Sequence, residues 1–426
     1  MVWVSKVLIV ALFVTSCAGF LLSSLHATNY KRVDRRCHQQ EQRQQRGSHF
    51  LLNRRQRVHS LGRGIEREES EQVKINEELQ PWCFGIIADV QYVDAENAMN
   101  FQQTHTRRYR QSLSIFHEAV HKWNSLAPNM RCAVLLGDLL DGKCNDHVNT
   151  GANLRYKSLK DLQRITSSST QPLHYCFGNH DYYSFDRNEL LKYFIPQQHK
   201  RECSYEKLYY DWRPNGTTGW RFICIDSYDV SLIGYSSYEH EKQAKDMLIK
   251  NNPNDLSISG GWFKDLPDDK FRFVPYNGAV SYQQLRWLKS VLRRAQENNE
   301  KCICFCHQPI YSTKLQSLVW NSEDILDVLH SFGDTVQMWI AGHDHGGHYS
   351  VDAQGIHHVV PPAPLECEQG AKAYGFIEVR EHELILNWTG STPRKSALSW
   401  PNRFKIRSSR DKHDTKLNTT DDITLV

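Results

Sequence analysis

The chain has 426 residues, 40% hydrophobic and 11% aromatic, too rich in core-forming side chains for a disordered protein and too long for a disulfide-stapled miniature. Its formal net charge of +4 is unevenly spread: +9 over residues 1–63, −4 over 64–79, −5 over 80–392 and +4 over 393–426. Only the ends are basic, so the pI gives the central part no nucleic-acid-binding character.

Residues 7–25 (VLIVALFVTSCAGFLLSSL) are almost uninterruptedly apolar. Their length suits a secretory signal or a single membrane anchor, and residues 1–25 are read as such a segment. Residues 26–79 are Gln- and Arg-rich and then acidic (HQQEQRQQRG, EREESE); sequence of this kind buries no core and reads as a disordered linker. Cys132, Cys176, Cys224, Cys302, Cys304 and Cys306 fall in short apolar runs. Buried strand cysteines of that kind are usually free and fit a reducing, cytoplasmic interior. Leader and cysteines therefore point to different compartments.

From Gln80 the pattern becomes α/β. Strands are predicted at Trp82–Ala88, Arg131–Leu136, Leu173–Phe177, Arg221–Asp226, Cys302–Cys306 and Val336–Ala341. Helices are predicted at Thr104–Ser125, Asn153–Ser167, Asn188–Phe194, Ser281–Asn298 and Glu323–Phe332. The first helix sets Leu113, Phe116, Val120 and Trp123 on one face. Four more strands follow at His345–Val351, Ile356–Val360, Tyr374–Arg380 and Glu383–Thr389, so the layered α/β arrangement ends in an antiparallel portion. The polar stretch 228–270 reads as an inserted, cap-like loop region, and 393–426 as a disordered tail. The folded domain is thus expected to span 80–392.

The chemistry lies at the strand ends. The first strand runs into Asp89-Val90-Gln91 and the second into Gly137-Asp138, with Asp141 three residues on. The third runs into Gly178-Asn179-His180-Asp181, the fifth into His307-Gln308-Pro309 and the sixth into Gly342-His343-Asp344-His345. Taken singly, each has a bland reading: Asp138 as a helix cap, Asn179 as a turn residue, His307 as a satisfied core histidine. Taken together, they place carboxylates, amides and imidazoles where open α/β sheets bind ligands, the carboxyl edge of the strands. That donor set suits two divalent metal ions.

These five blocks, in this order, resemble the calcineurin-like metallophosphoesterase superfamily. The resemblance implies a layered α/β/β/α sandwich. It also implies that Asp89, Gln91, Asp138 and His345 hold one metal, that Asp138 bridges to a second held by Asn179, His307 and His343, and that His180 faces the phosphoryl group as the catalytic residue. Most of the superfamily has His where this chain has Gln91. An amide oxygen there favours Mn²⁺, with Mg²⁺ possible and Zn²⁺ or Fe disfavoured. With its flanking sequence, the Gln variant is similar to the manganese-dependent ADP-ribose/CDP-alcohol diphosphatase branch. That branch implies hydrolysis of small nucleoside diphosphates by a monomeric, cytoplasmic enzyme without nucleic acid, membrane association resting on residues 7–25 alone.

Other roles stay open at this level. Asp141 and Asp181 are candidates for orienting a histidine, Asp181 equally a turn residue. Tyr92, Phe101, Tyr182 and Tyr183 are candidates for stacking on the substrate or for plain packing, and His357-His358 for supporting the site or for a buried strand. A phosphomonoesterase, a cyclic-nucleotide phosphodiesterase and a non-catalytic scaffold of the same fold are the competing readings. A nuclease is opposed by the net −5 of residues 80–392.

Overall fold

The computed structural model describes residues 80–145, 154–195, 207–258, 260–393 and 400–408. The apolar leader, the linker and the tail beyond 408 lie outside them.

Two six-stranded sheets form the centre. In chain order their strands are β1 (Trp82–Ile87), β2 (Met130–Leu135), β3 (Leu173–Tyr175), β4 (Tyr210–Trp212), β5 (Trp220–Cys224), β6 (Lys301–Phe305), β7 (Val336–Ile340), β8 (His348–Val351), β9 (His357–Val360), β10 (Ala373–Val379), β11 (Glu383–Gly390) and β12 (Arg403–Lys405). The first sheet runs β12-β11-β10-β1-β2-β3 and the second β8-β9-β7-β6-β5-β4. In the first, β1, β2 and β3 are parallel; in the second, β5, β6, β7 and β9 are. All six residues of β1 are buried, the pattern of a parallel strand covered on both faces.

The sheets meet through aromatic side chains. The Phe84 ring of the first lies 4.8 Å from Phe222 and 5.9 Å from Phe305 of the second, centroid to centroid. Each is fully buried, and burying such a side chain stabilises the fold by roughly 1.5–3 kcal/mol. Helices cover the outer faces. Helix α1 (Tyr109–Asn124) lays Ile115, Phe116, Ala119, Val120 and Trp123 on the first sheet, and the Trp123 indole donates to the Gly375 carbonyl at 3.0 Å. Helix α2 (Arg155–Thr166) follows on the same side. Two short helices, α3 (Asn179–Ser184) and α4 (Arg187–Phe194), succeed β3. On the second sheet, α6 (Tyr282–Glu297) buries Leu288, Val291, Leu292 and Ala295, and α7 (Ser322–His330) packs beside it. The layers are α/β/β/α, as expected.

Three elements differ from the sequence reading. The first helix begins at Tyr109 rather than Thr104, because Thr106–Arg107 pairs antiparallel with Ala98–Met99 and the Arg108 amide donates to the Leu365 carbonyl. The insert contains a helix, α5 (Tyr238–Asn251), capped by the Ser237 hydroxyl. It buries only Ala244 and Leu248, too thin an apolar stripe to read from spacing. The boundary set at 392 is too early: β12 adds to the edge of the first sheet, pairing Phe404 with Leu384 and burying the Phe404 ring. Phe404 and Ile406 alternate with Arg403, Lys405 and Arg407, but a three-residue strand in a charged tail is too short a run to stand out.

The nine described cysteines are all buried and free. Burial pushes the Cys132 thiol up to about 12, which leaves it inert. No helix among the described residues is long and apolar enough to cross a membrane.

Candidate metal centre

The carboxyl ends of β1, β2, β3, β6 and β7 deliver the polar blocks to one edge. Donor atoms of Asp89, Asp138 and His345 lie within 4.8 Å of one another, as do those of Asp138, His307 and His343. Asp138 belongs to both groups. Asn179 is buried beside them: the next amide, of His180, donates to Asp138 Oδ1 at 2.8 Å, and Tyr228 donates to Asn179 Oδ1 at 3.3 Å. Two glycines make the approach possible. A Cβ on Gly178 would lie 2.1 Å from Asp138 Oδ1, and one on Gly342 would lie 2.7 Å from Asp89 Oδ2.

The backbone is strained at the same places. Asp89, Gln91, Asp138 and His343 have φ of 50°, 39°, 52° and 68°, a region where a non-glycine residue costs about 1–3 kcal/mol and which clusters at functional sites. Asp181 braces one of these turns: its carboxylate accepts the amides of Asp138 and Leu139 at 2.8 Å and of Gly178 at 2.9 Å. It is a backbone anchor and does not orient His180. The Gly142 amide takes that place, donating to His180 Nδ1 at 3.1 Å, with Asp141 Oδ2 3.2 Å from the same nitrogen.

Each histidine of the cluster has one nitrogen committed elsewhere. His307 Nδ1 donates to the Leu136 carbonyl at 2.9 Å, and His345 Nδ1 to Glu366 Oε1 at 2.9 Å. His343 Nε2 donates to Asn277 Oδ1 at 2.9 Å; the Asn277 amide nitrogen is itself bound to the Arg272 and Gln316 carbonyls, so its oxygen must face the imidazole. These acceptors fix the tautomers and turn three lone pairs inward. Two of them, on His307 Nε2 and His343 Nδ1, face each other at 3.1 Å when both rings are neutral. That arrangement is repulsive unless a cation lies at it.

Electrostatics agree. Burial, then the Asp138 charge, pushes the Asp89 carboxyl well above its usual range. Burial, then the neighbouring imidazoles, holds His343 well below its usual value, and burial lowers His307. Burial also opposes charge on His180, but the Asp141 and Asp138 carboxylates outweigh it and raise its pKa. Gln91 supplies one further sign. Its Nε2 lies 2.8 Å from Asp138 Oδ2 and 2.9 Å from His345 Nε2, while its buried Oε1 has no partner. Turning the amide over exchanges two nearly isosteric atoms and brings the orphaned oxygen among the donors. The donor set fits a pair of divalent cations.

The chain matches the calcineurin-like phosphoesterase family over residues 84–347. It belongs to that family. Relatives named manganese-dependent ADP-ribose/CDP-alcohol diphosphatase are 34% identical in Arabidopsis thaliana, over 72% of this chain and 93% of the relative, and 34% identical in Homo sapiens, over 73% and 91%. Among solved structures, a dimetal phosphatase from Danio rerio is 29% identical, with a TM-score of 0.65 over 76% of this chain and 98% of that one. The expected phosphoesterase fold and branch are thereby established.

Of the aromatic candidates for stacking, Tyr183 lies at the site, edge-on to the His180 ring at 5.3 Å. Tyr92 is buried and donates to Asp161 at 3.0 Å, and Tyr182 is buried against Tyr228; both are packing residues. Phe101 is 73% exposed at the turn between Ala98–Met99 and Thr106–Arg107. His357 and His358 sit along β9, His358 Nε2 bonding Asp352 at 3.0 Å; they take no part in the cluster. Glu366, Asn277 and Arg107 escaped the sequence reading. A buried acid after Pro361-Pro362-Ala363-Pro364 was the one available sign of Glu366.

Proposed function

We propose that this protein is a two-metal diphosphatase that hydrolyses the pyrophosphate bond of ADP-ribose, CDP-alcohols and related small nucleoside diphosphates, releasing a nucleoside monophosphate. The observation that carries the reading is the convergence of two donor groups on Asp138, with His180 at their edge. In this reading Asp89, Gln91, Asp138 and His345 hold one ion, and Asp138, Asn179, His307 and His343 the other. Gln91 supplies an oxygen, which favours Mn²⁺ over Zn²⁺. When bound, such a pair neutralises phosphoryl oxygens and lowers the pKa of an attacking water.

The chain's own groups do the rest. Glu366, Asn277 and the Leu136 carbonyl hold the three imidazoles in register. His180 Nδ1 accepts the Gly142 amide, which leaves the Nε2–H to donate to the oxygen of the departing phosphate. The P–O bond to the leaving phosphate breaks as the water oxygen bonds to phosphorus from the opposite side. Every residue of the proposed centre comes from one chain, so a monomer suffices. Metal-free protein titrated with Mn²⁺, Mg²⁺ and Zn²⁺ while AMP release from ADP-ribose is followed tests the proposal. Mn²⁺ restores turnover; restoration by Zn²⁺ alone would refute the role given to Gln91.

A further inference from the structure

The amino edge of the sheets, at the other end of the strands from the metal donors, holds a polar cavity. Its volume is about 420 Å³, and it lies between the starts of β2, β3 and β5 and the end of β4, where the first sheet meets the second. Small-molecule sites occupy about 300–1,000 Å³. Strand β2 is six residues long, so at about 3.3 Å per residue the cavity stands roughly 20 Å from Asp138.

Its charges do not balance. Arg131, Arg213 and Arg221 line it, and Asp211 is the one acid among the lining residues. Arg221 is already committed: its Nε donates to Glu300 Oε2 at 2.6 Å and its Nη1 pairs with Asp211. Arg213 pairs with the same Glu300, and Arg294, outside the lining, comes within 3.6 Å of Asp211. Two carboxylates thus serve three guanidiniums. Among the described residues neither reaches Arg131, whose Nε is buried with no hydrogen-bond partner. Arg131 is the second residue of an otherwise apolar strand, MRCAVL, where an unpaired charge is costly to hold. The turn from β4 to β5 closes over it at Gly216, where φ is 66° and a Cβ would lie 3.3 Å from Arg131 Nη1. Beside it the Trp212 indole N–H is buried without a hydrogen-bond partner, the weakly accepting Cys132 thiol next to it. The His174 ring lies face to face on Trp212 at 3.8 Å.

We infer that this cavity is a second ligand site, separate from the metal centre, that takes a phosphate monoester. Arg131 holds the phosphate, and the organic part lies along the wall made by Trp212 and His174. Four guanidiniums against two carboxylates leave two positive charges. They match the charge of roughly −2 that a phosphate monoester carries above its second pKa of about 6; a carboxylate would neutralise only half. The planar fork of Arg131 meets two phosphate oxygens at once. The inference does not depend on what the metal centre cleaves.

The test uses the full chain carrying Asp138→Ala, which disables the metal centre, with and without Arg131→Gln. Each protein is titrated by calorimetry with AMP, inorganic phosphate and adenosine. One AMP binds per chain, and adding Arg131→Gln weakens it by about 10–100-fold. AMP binds more tightly than inorganic phosphate, because only the ester reaches the aromatic wall; equal affinity would overturn the ester and leave free phosphate as the occupant. No binding of AMP, adenosine binding as tightly as AMP, or an AMP affinity unaltered by Arg131→Gln would overturn the site. Where the glutamine variant folds poorly, Arg131→Lys keeps the charge and loses the fork, and still weakens AMP. A crystal structure of the wild-type chain with AMP decides independently: a phosphate at Arg131 upholds the inference, and a cavity without nucleotide overturns it.

Discussion

The two sheets bring different chemistry to the shared edge and hold it by different means. The first contributes Asp89, Gln91, Asp138 and Asn179, carboxylates and amides on turns fixed by the backbone. Three of the four have positive φ, and the Asp138 turn is pinned by amides bonded to Asp181. The second contributes His307, His343 and His345, whose rings are aimed by acceptors from elsewhere: Leu136, Asn277 and Glu366. Hard oxygen donors are placed by local conformation, imidazoles by long-range hydrogen bonds. The reason is geometric. A short carboxylate follows its Cα, whereas an imidazole has a free ring rotation and a tautomer to settle.

The residue common to both halves gives the largest expected effect. Asp138→Ala removes a donor from each group, so bound manganese falls sharply, by elemental analysis, and ADP-ribose hydrolysis is abolished. Retention of full metal content would break the idea of a shared centre. His180→Ala comes next. The ring is outside both donor groups, so metal content is preserved while kcat falls by about 10²–10⁴-fold. Loss of metal in that variant would move His180 into the donor set.

A smaller effect separates the two ways of holding donors. Glu366→Ala and Asn277→Ala each free one imidazole of the second sheet without touching a donor. Each is expected to weaken Mn²⁺ affinity by about 10–100-fold, read by calorimetry, with the fold intact by circular dichroism. Unchanged affinity in both would show that the imidazoles are held by packing alone.

This division also explains what was legible in the sequence. The donors could be read because each follows a short apolar strand in a compact block, as Gly137-Asp138 and Gly342-His343 do. The α/β/β/α layering could be read because buried parallel strands are continuous apolar runs. The residues that aim the imidazoles could not. Asn277 is 66 positions from His343, beyond the insert, and Arg107 and Glu366 lie 259 positions apart. No periodicity or motif spans such gaps; only the tertiary fold brings them together. The same holds for β12, whose one buried ring is meaningful only against β11. Asp181 is the instructive near miss: the block Gly178-Asn179-His180-Asp181 was visible, but its acid bonds backbone amides across from it rather than its neighbouring imidazole.

The smallest effect concerns a half-buried imidazole away from the centre. His357 lies between Tyr349 and Phe404, and burial, then the Arg407 charge, lowers its pKa to about 4. In the unfolded chain it titrates near its ordinary value, about 6.5. Between those values the unfolded state binds the proton and the folded state does not. Its contribution to stability is therefore complete above about pH 6.5 and is lost as the pH falls toward 4. His357→Gln removes that titration, so denaturation midpoints at pH 7.5 and 4.5 move closer together than in wild type, by an amount of order 2 kcal/mol. Its activity at neutral pH is expected to match wild type, because nothing at the donor cluster touches it. An unaltered acid sensitivity would mean that His357 already binds its proton in the native state.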